Sequence, residues 1–250
     1  MPTTSLPFTG KSALVTGASR GIGAAIAQRL AADGASVAIT YSHGRQKADE
    51  LAQSIEKSGG RALAIQADSA DPASVREAVA QTVKSFGQLD ILVNNAGIAV
   101  IQPVIDFSLE DFDRMLAINV RGVFVASQEV LRHMKSGGRI INIGSVNADR
   151  MPFAGGSVYA MTKAAIAGLT RGLARDLGPL GITVNTIQPG PVETDMNPAD
   201  GPFSETLKSF MAVKRYAQGS EIAAMVAYLA GPDSSFITGS CLTIDGGFAV

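Results

Sequence analysis

From Ser12 onward, short runs rich in β-branched residues alternate with longer segments whose apolar residues recur at helical spacing. This alternation is the strongest constraint on the fold. Parallel strands joined through helices must be covered on both faces, so the pattern predicts a parallel sheet between two helical layers. The strand candidates are Ala13 to Thr16, Ser36 to Thr40, Ala62 to Gln66, Ile91 to Val93, Arg139 to Ile143, Thr183 to Ile187 and Leu242 to Ile244, which makes seven.

The helical segments carry their own punctuation. Ile22, Ile26 and Leu30 share one face, and Asp71-Pro72 reads as an N-cap and first helical residue before Val75, Val79 and Val83. Ser108 with Asp111 resembles a capping box opening one long helix through Val120 to His133, and Gly34, Gly87 and Gly137 are placed to end helices. The proline-rich stretch from Gln188 to Phe203 has no helical period and predicts a long loop. Loops of that length usually serve function, often as lids. No linker divides the chain, so one domain is expected over residues 1–250, with 1–10 as an N-terminal extension and 188–215 as an inserted substrate lid.

Composition excludes several classes. With 21 basic and 22 acidic side chains in 250 residues there is no electrostatic footprint for a nucleic acid or an anionic membrane. The single cysteine, Cys241, cannot close an internal disulfide, and no metal-ligand spacing is present, so no metal is expected. The longest nearly apolar run, Ile222 to Ala230, is shorter than the ~20 residues that span a bilayer. The N-terminus lacks the order of a signal peptide, and a cytoplasmic protein is expected. His43 and His133 lie outside every motif and read as surface residues.

The first strand runs into Thr16-Gly17-Ala18-Ser19-Arg20-Gly21-Ile22-Gly23 and then an amphipathic helix. Such a loop is a phosphate cradle: Gly17 permits the tight turn, Gly21 lets the backbone approach a pyrophosphate, and Gly23 permits close helix packing, while the helix N-terminus favours an anion. There is no Walker A lysine, which argues against nucleotide hydrolysis. Where a carboxylate would meet an adenosine 2′-hydroxyl, the second strand instead ends in Thr40-Tyr41-Ser42-His43-Gly44-Arg45. Arg20, Ser42 and Arg45 therefore suit a 2′-phosphate, with Tyr41 beside them as a further cofactor contact, and the expected cofactor is NADPH/NADP+ rather than NADH.

Tyr159 and Lys163 stand at i, i+4 and share a helical face. A phenol is a weak base at pH 7, and a neighbouring ammonium would stabilise its phenolate and lower its pKa. Ser145 follows an apolar strand at the end where open α/β sheets bind ligands, so its hydroxyl can hold a carbonyl oxygen that Tyr159 protonates.

With the loop at Thr16 to Gly23, Asn94-Asn95-Ala96-Gly97 after the fourth strand, the Ser145/Tyr159/Lys163 set and Pro189-Gly190 after the sixth, the chain resembles the short-chain dehydrogenases/reductases over essentially its full length. The resemblance implies a Rossmann-type doubly wound sheet, here with strand order 3-2-1-4-5-6-7, and a homotetramer. It implies that Asn119 completes a catalytic tetrad with Ser145, Tyr159 and Lys163 by bending its helix around a proton-relaying water. Asp68 would meet the adenine edge beside Ser69, Asn95, Ala96 and Gly97 would line the cofactor cleft, and Pro189, Gly190, Val192 and Thr194 would cover the nicotinamide. Lys163 and Tyr159 would also touch the cofactor, with Ser19, Arg20, Gly21, Ile22 and Gly23 at its pyrophosphate. Ser145 and Tyr159 are one position further apart than is commonest in the family, with Gly155-Gly156 able to absorb the extra residue.

The expected activity is reduction of a small-molecule ketone to a secondary alcohol. Met151, Phe153, Met196, Phe203, Phe210 and Met211 are expected to supply an apolar substrate wall. A ketoacyl-carrier-protein reductase is the nearest subgroup by general look. The second half, in Gly144 to Pro152, Gln188 to Pro202 and Ser209 to Arg215, more closely resembles a bacterial family member described as binding cyclic-di-GMP. That makes a regulatory nucleotide-binding protein the alternative, with Arg150, Lys214 and Arg215 available for phosphates.

Overall fold

The computed structural model describes residues 6–250. The first half of the N-terminal extension lies outside them. The second half is packed rather than appended: Phe8 is buried in the core and its N–H donates to the Asp33 carbonyl at 2.9 Å.

The strands are β1 (Ser12–Val15), β2 (Ser36–Tyr41), β3 (Arg61–Gln66), β4 (Ile91–Asn94), β5 (Arg139–Ile143), β6 (Thr183–Pro189) and β7 (Cys241–Ile244). They form one sheet in the order β3-β2-β1-β4-β5-β6-β7 with every pair parallel, as the alternation predicts. The helices are α1 (Gly21–Ala32), α2 (Arg45–Lys57), α3 (Pro72–Phe86), α4 (Leu109–Leu116), α5 (Val123–Val130), α6 (Ser157–Leu177), α7 (Ser204–Phe210) and α8 (Gly219–Ala230).

Strand periodicity decides which layer each residue feeds. Ala13 and Val15 pack with α1, α2 and α8, while Leu14 between them faces α3, α5 and α6. Chain order reverses between β1 and β4, and a crevice opens there beyond the carboxyl ends of the strands, where doubly wound sheets take ligands.

Three local features differ from the sequence expectation. The long helix opened by Ser108 is interrupted: α4 gives way to a π-helical segment, Ala117–Gly122, before α5 continues and ends at Val130. Helical hydrophobic period survives one inserted residue, so the pattern did not reveal the break. Gly137 accordingly lies in a later turn, whereas Gly87 caps α3 with φ +81°. Finally, Gln188 and Pro189 belong to β6, and the segment after them contains α7, so the irregular parts of the expected lid are residues 190–203 and 211–215.

Candidate active site

The crevice has a volume of about 660 Å³. Its floor begins at the turn after β1. Gly17 N–H donates to Thr40 Oγ1 at 3.0 Å and Ala18 N–H to the Thr40 carbonyl at 2.9 Å, so β2 fixes the loop from one side. From the other side, Asn95 Nδ2 donates to the Thr16 and Gly17 carbonyls at 2.9 and 3.0 Å. Thr16 Oγ1 accepts from the Asn95 and Ala96 N–H groups, each at 3.0 Å. Glycine is obligatory at two points here. Gly17 has φ +61° and a Cβ on it would sit 2.8 Å from Ala96 Cα; a Cβ on Gly23 would sit 2.5 Å from Asn95 Nδ2.

The loop delivers the N-terminus of α1 to the crevice with no side-chain cap and no acidic residue in its first turn. Uncapped N–H groups at the positive end of a helix are the donor set that a pyrophosphate requires, so the residues present fit a dinucleotide. Ser19, Arg20, Gly21, Ile22 and Gly23 line this part, Ser42, Asp68 and Ser69 line the far end, and Asn95, Ala96 and Gly97 line the floor. Pro189, Gly190, Val192 and Thr194 form the opposite wall, with Tyr159 and Lys163 at the inner end. Asp68 also organises its own turn, accepting from Ala70 N–H at 2.9 Å.

Two expected cofactor residues do not reach the crevice. Tyr41 is buried in the core beneath it. Arg45 turns away and its Nε pairs with Asp49 at 3.4 Å. The reason is helical phase: Gly44, at φ +82°, starts α2 at Arg45, and two residues later the side chain has swung by about 200°. Lys47, not Arg45, therefore faces the crevice, together with His43, Asp195, Met196 and Asn197. His43 was expected as a plain surface residue. It is exposed, yet it lines the cleft and its Nδ1 lies 3.0 Å from Ser42 Oγ.

At the inner end, Tyr159 and Lys163 project from α6 towards the end of β5. Gly155, at φ +87°, turns the chain into α6, and its carbonyl accepts from Gln102 N–H at 3.0 Å. The Ser145 hydroxyl accepts from Asn147 N–H and donates to Asn147 Oδ1, each at 3.1 Å, and it lines the cleft together with Tyr159. Lys163 Nζ donates to the Ile143 carbonyl at 3.0 Å and stands 5.8 Å from the centre of the Tyr159 ring. Burial pushes Lys163 down to about 8.

The expectation that this ammonium depresses the Tyr159 pKa is not met. Desolvation raises the phenol above its usual value, the Ser145 hydroxyl opposes that rise, and the lysine's hydrogen-bond partner is a backbone carbonyl. The phenol is thus held in its acid form at neutral pH.

Asn119 lies behind the crevice wall, buried, inside the π-helical segment. Its Oδ1 accepts from Ile98 N–H at 2.9 Å, and its Nδ2 donates to the Ile98 carbonyl at 2.9 Å and to Thr162 Oγ1 at 3.1 Å. These bonds tie the irregular segment after the Asn95 loop to α6. A methyl on Gly97 would lie 3.4 Å from Asn119 Oδ1 and 3.5 Å from Lys163 Nζ, so the two side chains flank one small space.

The expected apolar wall is only partly present. Met196 lines the crevice, but Met211 is buried against Val146, Tyr216 and Phe248, and Phe210 meets Phe248 edge to face at 5.8 Å. These residues pack the segment itself. The cations proposed for a second dinucleotide are also committed elsewhere. Arg150 bonds the Phe248 and Val250 carbonyls, Arg215 forms a two-pronged pair with Glu221 at 2.8 and 2.9 Å, and Lys214 bonds the Ser209 carbonyl at 3.0 Å. Among the described residues no His/Cys/Asp/Glu cluster could hold a metal, and no helix is long and apolar enough to cross a membrane.

A doubly wound sheet with an uncapped glycine-loop helix and a Ser/Tyr/Lys group lining the inner end of its cleft defines a dinucleotide-cleft oxidoreductase class. A family model described as enoyl-(acyl carrier protein) reductase matches residues 17–249. The cyclic-di-GMP-binding biofilm dispersal mediator protein of Escherichia coli (strain K12) is 52% identical over 241 residues, covering 96% of this chain and 98% of that protein. The short-chain dehydrogenase/reductase from Serratia marcescens BCRC 10948 superposes with a TM-score of 0.96 at 58% identity, covering 98% of this chain and 100% of that one. A short-chain dehydrogenase from Burkholderia cenocepacia J2315, solved in complex with NADP, gives 0.96 at 55% identity with the same coverage. The chain belongs to the short-chain dehydrogenase/reductase family of oxidoreductases.

Proposed function

We propose that this protein is an NADPH-dependent carbonyl reductase that converts a ketone into a secondary alcohol. The observation that carries the reading is the placement of the Tyr159 ring with Ser145 and Lys163 at the inner end of a cleft whose other end is the uncapped glycine loop. When bound, the nicotinamide supplies the hydride for the carbonyl carbon. Tyr159 donates the proton to the carbonyl oxygen, and the Ser145 hydroxyl orients that oxygen by hydrogen bonding. Lys163, held by the Ile143 carbonyl at the inner end of the cleft, would bind the cofactor's ribose. Asn119 sets the position of Lys163 and the Asn95 loop through Ile98 and Thr162. Arg20 and Lys47, at an end of the cleft where β2 offers no carboxylate, favour the 2′-phosphate of NADPH over NADH.

The reading covers the whole chain as one domain, in the cytoplasm, acting on a small molecule and assembled as a homotetramer. The exposed apolar residues Leu109, Phe124 and Met161, on the helices flanking Asn119 and Tyr159, support assembly through that face. A nucleotide-sensing role of the cyclic-di-GMP type is the second reading, favoured by the Escherichia coli relative's description. The hold of Arg150 on the Phe248 and Val250 carbonyls counts against it. A dedicated 3-oxoacyl-carrier-protein reductase is the narrower form of the enzymatic reading.

The test is titration with NADPH and NADH, followed by turnover of small ketones, β-ketoesters and ketoacyl thioesters. Preferential NADPH binding with turnover is expected, and the best substrate class separates a broad reductase from the acyl-carrier type. Tight NADPH binding with no turnover on any of them would move the assignment to the sensing role.

A further inference from the structure

Asp195 lies on the segment after β6, far in sequence from the two cations at the adenosine end of the cleft. Its Oδ2 nevertheless sits 2.9 Å from Lys47 Nζ and 3.5 Å from Arg20 Nη1. Lys47 comes from the first turns of α2 and Arg20 from the glycine loop, so one carboxylate oxygen ties three separate segments across the cleft mouth. Both cations lower the Asp195 pKa from its ordinary value, with Lys47 the larger influence. All three residues line the cleft, beside Thr194, whose side chain lies against Gly21.

We propose that Asp195 is a specificity-determining residue: a built-in counter-anion that occupies the phosphate seat formed by Arg20 and Lys47 and must yield it when a 2′-phosphate arrives. The proposal rests on the NADPH reading above, since it concerns the same two cations. A bound dianion and a carboxylate compete for the same donors, and the dianion wins through its greater charge and number of acceptor oxygens. Binding of the 2′-phosphate therefore breaks both pairs and releases residue 195, and with it the start of the segment over the nicotinamide end. A nucleotide without that phosphate leaves the pairs in place. The pairs are exposed, so their breakage subtracts only a modest factor from affinity, and salt reduces that factor.

The experiment is calorimetric titration of the wild type and Asp195→Asn with 2′,5′-ADP and with 5′-ADP, at low and high salt. Asp49→Asn, which disturbs only the Arg45 pair outside the cleft, serves as the control. Asp195→Asn is expected to tighten 2′,5′-ADP by roughly three- to tenfold at low salt, with a smaller gain at high salt. It should leave 5′-ADP within about twofold. If the wild type prefers 2′,5′-ADP but Asp195→Asn leaves that affinity unchanged or weakens it, the counter-anion role is overturned while the NADPH reading stands. Equal tightening of both nucleotides also overturns it, because a general loosening of the cleft would then explain the effect. If the wild type and the variant alike fail to distinguish the two nucleotides, the NADPH reading itself falls.

Discussion

Lys163 gives its ammonium to the Ile143 carbonyl at 3.0 Å while standing 5.8 Å from the ring centre of Tyr159. A cation placed this deep costs stability that a neutral amine would not. With its pKa at about 8 against an ordinary 10.5, Lys163 releases its proton earlier in the folded chain than in the unfolded one. Between those values the unfolded chain binds more protons, so the lysine's contribution to stability rises with pH. Below pH 8 the full burial cost applies, on the order of 3 kcal/mol. Lys163→Met should therefore unfold at higher urea than the wild type at pH 7, and the gap should narrow by pH 10. Parallel urea curves at the two pH values check this; a gap independent of pH would assign the cost to something other than charge.

The hydroxyl of Tyr159 is the proton donor of the proposed reaction, and its ring is part of the cleft wall. Tyr159→Phe removes the first and keeps the second. Turnover should fall by roughly 10²- to 10⁴-fold, the usual worth of a positioned general acid. NADPH affinity should stay within about twofold of the wild type. Stopped-flow reduction of the best ketone, beside fluorescence titration of the cofactor, separates the two effects.

The space between Asn119 Oδ1 and Lys163 Nζ can be filled without breaking either residue. On Gly97 a methyl would make contacts of 3.4 and 3.5 Å with them, ordinary van der Waals distances. Gly97→Ala should consequently fold with a nearly unchanged melting temperature. Its turnover should drop by at least about tenfold, because the methyl occupies cleft floor next to the lysine and small misplacements there are costly. A variant with wild-type turnover would show that this space is not used in the reaction.

The sheet was readable because its information is local. Each strand is a short β-branched run, and alternation along Ala13, Leu14 and Val15 already divides the two helical layers. The glycine loop and the Tyr159/Lys163 pair were readable for a similar reason, each being a fixed spacing on one turn or one helix. What escaped depends on phase or on distant chain. Within the π-helical segment Ala117–Gly122 the buried residues are Asn119 and Gly122, so no apolar period records the extra residue and nothing sets the segment apart from uninterrupted helix. Choosing Lys47 over Arg45 required the starting residue of α2, which Gly44 sets through its backbone rather than through any pattern. Asp195 meets Lys47 only after the chain has crossed the sheet, and no periodicity announces such a contact.

That change of cation is itself testable. Arg45 and Lys47 carry the same charge and lie two positions apart on α2, so long-range electrostatics barely distinguishes them. Orientation does: Arg45 pairs with Asp49 on the outer face, whereas Lys47 points across the cleft mouth towards Arg20 and Asp195. If a 2′-phosphate binds between Arg20 and Lys47, Lys47→Ala should weaken NADPH by roughly three- to tenfold at low salt, leaving NADH within about twofold. Arg45→Ala should change neither. Fluorescence titration of both cofactors with both variants at two salt concentrations decides the matter. Equal weakening of NADPH by the two alanine variants would mean that only the net charge of α2 counts. A loss confined to Arg45→Ala would place the phosphate on the outer face and restore the assignment that the sequence alone suggests.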